Sequence, residues 1–97
     1  MMDAQRTPVF YMANLGAEVS RALSSREKGD KEGTKSAIAR SLSIIEKVLS
    51  FDEMKPRTPE INILKNVLEN ITNANFSPRE AENLKRYFYP FASRLMA

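Results

Sequence analysis

Chemistry in this chain would have to come from carboxylates, amides and phenols, because histidine and cysteine are both absent. Their absence excludes disulfides, thiolate nucleophiles, cysteine-ligated metals and the histidine-dependent hydrolase arrangements. A metal site would need an all-oxygen donor set. Glu18, Glu27, Asp30, Glu32, Glu46, Asp52 and Glu53 supply carboxylates, but none pairs with another at helical spacing on an apolar face. The di-metal sites of helical bundles add Glu-x-x-His motifs, and these are missing. Only three glycines occur, and none sits in a phosphate-binding loop. The sequence thus predicts no catalytic residue, no metal and no cofactor, and the chain reads as a non-enzyme.

Binding chemistry is better represented. The stretch Tyr87-Phe88-Tyr89-Pro90-Phe91 holds half of the chain's aromatic residues. On a helix, Phe88 and Phe91 fall in line with Leu84 and Leu95 and point inward, Tyr87 lies at the edge, and Tyr89 points away. Pro90 removes the hydrogen bond to the carbonyl of Arg86, so a kink or restart is expected there. Tyr and Arg are enriched where partners dock, which makes Tyr87, Tyr89, Pro90 and Arg86 candidate partner-binding residues. An alternative is RNA or DNA binding through Lys85, Arg86 and Arg94, aided by the uncharged stripe Asn62, Asn66 and Asn70, which Asn73 extends. Lys and Arg total 15 against 12 acids, for a net charge of +3 and a pI near 9.4. That excess is small, and no basic run exceeds the pair Lys85-Arg86, whereas nucleic-acid affinity rests on clustered cations. A protein partner or a second copy is therefore favoured over nucleic acid.

These residues must be positioned by helices. Thr7-Pro8, Thr58-Pro59 and Ser77-Pro78 each pair a capping hydroxyl with a proline tolerated at a helix start. Glu80 completes a capping box with Ser77. The first helix is predicted from Pro8 to Lys28, burying Met12, Leu15, Gly16, Val19, Ala22 and Leu23. Beside that stripe runs a face of small residues, Ala13, Ala17, Ser20 and Ser24, which would admit another helix closely. After Lys28-Gly29-Asp30 the second helix is predicted from Lys31 to Ser50, with Gly33 delaying its start. Its inner line reads Ile38, Leu42, Ile45 and Leu49, widened by Ile44 and Val48. Phe51 to Arg57, containing Pro56, reads as a mobile loop. The third helix is predicted from Pro59 to Asn73, burying Ile61, Leu64, Val67, Leu68 and Ile71, and the fourth begins at Pro78. Glu18 with Arg21, Glu27 with Lys31 and Glu82 with Arg86 are expected as surface ion pairs.

With 42% hydrophobic and 28% charged residues in 97, the composition is that of a folded domain. The reading is one all-α domain over residues 1–97, an up-and-down antiparallel bundle of three to four helices. Ala13 to Arg21 (A-N-L-G-A-E-V-S-R), Glu27 to Asp30 (E-K-G-D), Arg40 to Glu46 (R-S-L-S-I-I-E) and Tyr87 to Ala92 (Y-F-Y-P-F-A) together resemble a family of short, unannotated prokaryotic helical proteins. That resemblance implies a helical bundle and carries no activity. The E-K-G-D turn with its Ile-rich helix is also similar to helical export chaperones of the flagellin type, a likeness too short to transfer residue roles. No apolar stretch is long enough to span a bilayer, and M-M-D-A-Q-R-T-P lacks the pattern of a secretory signal, so a cytoplasmic location is expected. A domain this small often completes its core with a second copy.

Overall fold

The computed structural model describes residues 6–96, with side chains as far as Ser93. Four α-helices, α1 (Pro8–Glu27), α2 (Lys31–Leu49), α3 (Thr58–Glu69) and α4 (Pro78–Met96), form an all-α bundle without strands among the described residues. It measures 40 × 25 × 22 Å, its long axis set by helices of about 20 residues rising ~1.5 Å each.

Two of the three expected caps form as the sequence implies. Thr7 Oγ1 accepts from the Phe10 amide at 3.2 Å. Ser77 Oγ accepts from the Glu80 amide at 3.2 Å while Glu80 Oε1 accepts from the Ser77 amide at 3.0 Å, the reciprocal capping box. Thr58 does not cap. The segment expected as a loop is a 3-10 helix over Asp52–Arg57 that contains Pro56 and runs directly into α3, so Thr58 is already helical and Arg57 stands at the cap position. Proline is tolerated in so short a helix, and Met54 anchors it by burying its side chain. Gly33 does not delay α2, because its amide donates to Asp30 Oδ1 at 2.9 Å as part of the N-cap. Gly29 ends α1 with a φ of 77°, the left-handed conformation that a side chain would oppose.

Contacts across each connection show that successive helices run antiparallel. Glu18 meets Arg40 at 2.9 Å, Glu46 meets Lys65 at 3.9 Å, and the Tyr87 hydroxyl donates to Glu60. For the first and third contacts the partners lie about equally far in sequence from the turn that joins their helices. The bundle closes through α4 on α1, which meet more extensively than α4 and α3 do.

The core follows the expected stripes on α1, α3 and α4: Met12, Leu15, Val19, Ala22, Leu23, Ile61, Leu64, Leu68, Ile71, Leu84, Phe88 and Phe91 are buried. Leu95 and Arg94 have side chains outside the described residues. On α2 the prediction needs correction. Its buried line is Thr34, Ala37, Ser41, Ile45 and Val48, while Ile38, Leu42, Ile44 and Leu49 are half-buried around it. Small residues at 37 and 41 bring α2 close to α1, and the larger side chains spread to either side where there is room. The two buried hydroxyls are satisfied within the helix: Thr34 donates to the Asp30 carbonyl at 2.7 Å and Ser41 to the Ala37 carbonyl at 2.8 Å.

Two further departures concern α3 and α4. Helix α3 ends at Glu69, and residues 70–77 form turns that still bury Ile71 and Phe76. Arg26, at the end of α1, binds these turns. Its guanidinium donates to the carbonyls of Ile71 at 2.7 Å, Asn73 at 3.1 Å and Phe76 at 3.1 Å, and lies 5.2 Å from the Phe76 ring centroid. Pro90 neither ends nor restarts α4, which continues as one helix to Met96. The proline sits on the exposed side of the helix, where water can hydrate a carbonyl left without its helical partner.

At Gly16, a Cβ atom would lie 2.9 Å from Phe88 Cβ. Glycine-to-alanine at an ordinary exposed helix position stabilises by up to ~1 kcal/mol. Here the sign should reverse: Gly16→Ala is expected to lower unfolding free energy by ~1–3 kcal/mol through overpacking, measured by urea denaturation.

Candidate functional site

Helix α4 has a different groove on each side. Toward α1 lies an open groove of about 300 Å³. Its floor is Val19, Leu23, Leu84 and Phe88, one wall is the small-residue face Ala13, Gly16, Ala17 and Ser20, and Tyr89 and Lys85 stand on the other. The local sequence accounts for this shape. Small residues beside the α1 core stripe leave a depression, and the large residues of α4 alternate between core and rim. Ala17, Ser20 and Ser24 are exposed, so no helix among the described residues covers this part of the face that the sequence marked as suited to close packing. Tyr89 is 72% exposed, as its position opposite the Phe88 and Phe91 line predicts.

Toward α3 lies a second groove of about 390 Å³, lined by Ile63, Leu64, Val67, Leu84, Tyr87, Asn83, Glu60 and Glu80. Ile63 is 65% exposed. Across one end of this groove runs a polar bridge. Tyr87 donates its hydroxyl to Glu60, Arg57 Nη2 donates to the same carboxylate at 2.6 Å, and Arg57 Cζ lies 5.6 Å from the Phe91 ring centroid. The hydrogen bond from Arg57, then that from Tyr87, holds the Glu60 carboxyl below its ordinary value of 4.5. Burial, then the bond to Glu60, raises Tyr87 well above the ordinary phenol value. At neutral pH the phenol stays protonated and the carboxylate charged, a state suited to tying helices together and not to moving protons.

The candidate residues of the sequence reading therefore divide. Tyr89, Pro90, Lys85 and Arg86 are exposed on α4, whereas Tyr87 is half-buried with its hydroxyl and ring both engaged. Asn62, Asn66 and Asn70 share the outer face of α3, but Asn70 donates to the Asn66 carbonyl at 3.0 Å and accepts from Asn73 at 2.7 Å, so part of the stripe closes the end of α3. Lys85 lines the α1 groove while Asn70 shares a shallow depression with Glu80. Lys85 and Asn70 therefore line different depressions. Of the expected ion pairs, Glu18–Arg21 closes at 3.0 Å. Glu27–Lys31 and Glu82–Arg86 are not among the ion pairs of the described residues, and Glu18 bridges to Arg40 as well as to Arg21. Sequence reasoning missed Arg26, Phe76 and the Arg57–Glu60–Tyr87 bridge. Arg57 and Glu60 at i,i+3 were readable as a pair, but nothing local signals their long-range partners.

No group of carboxylates among the described residues is arranged to hold a metal ion, and none of their helices is long and apolar enough to cross a membrane. Compared with protein-family models, curated proteins and solved structures, the chain matches none.

The lowered pKa of Glu60 has a pH signature. Because the unfolded state takes up the proton first as pH falls, the contribution of the bridge is present above 4.5 and is lost as pH drops through the folded value. Wild type should exceed Glu60→Gln by ~1 kcal/mol near neutral pH, the modest size appropriate to a partly exposed pair. Urea denaturation of both proteins across the acid range should show that difference shrinking below 4.5.

Proposed function

We propose that the protein is a non-enzymatic interaction module that associates with a second copy of itself through the groove between α1 and α4. The observation that carries this reading is Tyr89: a large ring, 72% exposed, beside an uncovered apolar groove walled by small residues. Ala13, Ala17, Ser20 and Ser24 recur at helical spacing on α1, so the same face of a second α1 can approach closely in an isologous pair, each Tyr89 covering the partner's small residues. Arg86 and Pro90 lie on the exposed side of the same helix and extend the contact surface. Tyr87 supports the surface from within by fixing α4 to α3. A non-enzymatic role is supported by the lack of histidine and cysteine and by the structural commitment of Glu60 and Tyr87, whose proton affinities are shifted away from neutrality.

Light scattering on a size-exclusion column tests this directly, with absorbance at 260 and 280 nm read together. Wild type should elute as a nucleic-acid-free dimer, and Ala17→Arg and Tyr89→Ala should shift it toward monomer. In the monomer each substitution should alter unfolding free energy by no more than ~0.5 kcal/mol, as at any surface position. A wild-type monomer at all concentrations, or a nucleic-acid-laden peak that clears with salt, would contradict the reading.

A further inference from the structure

A roomier cavity than either groove, about 550 Å³, opens where the α1–α2 turn and the first turn of α2 face residues 72–74. Arg26, Lys31 and Lys35 line it against one carboxylate, Asp30, a surplus of two positive charges in a chain whose net charge is +3. Asp30 is already engaged as the cap of α2, accepting from the Gly33 amide at 2.9 Å. The nearby Glu27 lines a separate depression.

None of these three cations is in an ion pair among the described residues. Arg26 commits Nε and Nη2 to the carbonyls of Ile71, Asn73 and Phe76, which fixes one wall of the cavity. Carbonyls are neutral, so the guanidinium charge stays uncancelled. Lys31 and Lys35 are exposed, stand four apart on α2 and line the same cavity. Like charges at that spacing repel and weaken a helix, so the pair does not help α2 to fold. Departures from local rules without structural benefit are expected at functional sites. A phosphate group carries up to about two negative charges at neutral pH, and lysines bind it as point charges. The cavity falls within the range of about 300–1,000 Å³ typical of small-molecule sites. It therefore has room for an organic body beside the phosphate, with Thr72 and Asn73 as neutral polar neighbours. No aromatic ring lines it to stack a nucleic-acid base. We propose that this cavity binds a small phosphate ester, its phosphate held by Lys31 and Lys35 in the field of Arg26, independently of the α1/α4 surface.

Glycerol 3-phosphate, titrated into isotopically labelled protein at constant ionic strength, should give saturable amide shifts at Gly29 to Lys35 and Thr72 to Ala74. Inorganic phosphate should move the same amides with weaker affinity, and glycerol should move none. Lys31→Gln combined with Lys35→Gln should weaken binding about tenfold or more, as expected for the loss of two charged hydrogen bonds. Both positions are exposed, and removing their repulsion should leave the urea midpoint unchanged or raised. Lys47→Gln combined with Lys55→Gln removes the same charge at exposed positions outside the cavity and should leave affinity intact. Tyr89→Ala should also leave it intact, which separates this result from the fate of the α1/α4 surface. Shifts that do not saturate, or equal losses in the two double variants, would reveal diffuse attraction for anions and overturn the proposal. Inorganic phosphate binding as tightly as the ester would assign the cavity to free phosphate. A short single-stranded oligonucleotide binding there more tightly than the ester would assign it to nucleic acid, and either result would overturn the proposal.

Discussion

The close approach of α4 to α1 at Gly16 governs how the rest of the molecule is arranged. Phe88 lies where any larger residue at position 16 would put its Cβ, so the fourth helix is drawn onto the first at that level. Arg26 reinforces the arrangement from the end of α1 by binding three carbonyls of the turns that lead into α4. Since α4 is set by α1, its approach to α3 rests on the Tyr87–Glu60 bridge and the side chains around it. Both grooves follow: one because small residues flank the Gly16 contact, the other because α3 and α4 are tied at Tyr87 and Glu60 while the space beyond them stays open.

Several carboxylates among the described residues do structural work. Glu18 links α1 to α2 through Arg40, Glu80 closes the cap of α4, and Glu60 is held by a guanidinium and a phenol. Charged hydrogen bonds of this kind are costly to leave incomplete. The uncovered groove beside α1 is instead lined mainly by apolar and small side chains.

Much of the fold was legible in the sequence because helix punctuation is local. Thr7-Pro8 and Ser77-Pro78 name their own helix starts, and the three-four stripes of α1, α3 and α4 name their buried faces. Helix α2 was misread because its inner line contains Thr34, Ala37 and Ser41. Hydrophobicity favoured Ile38 and Leu42, while the need for close approach to α1 favoured small residues. Pro56 and Pro90 were read as breakers because a sequence does not show which side of a helix faces water or whether a short 3-10 turn will absorb the ring. Tyr89 and the small face of α1 were identified from spacing alone. Their meeting in one groove depends on α4 returning to α1, a tertiary fact that no local pattern encodes. The α3/α4 groove was not legible at all, since it arises from the distance between two helices.

The claim that α4 presents its outer side to a second copy is tested most directly by recording amide shifts of the isotopically labelled protein as its concentration is raised. Self-association through this face should give concentration-dependent shifts confined to Ala13 through Ser24 and Lys85 through Ala92. Spectra that do not change with concentration, or changes centred on Ile63 and Val67 instead, would contradict it.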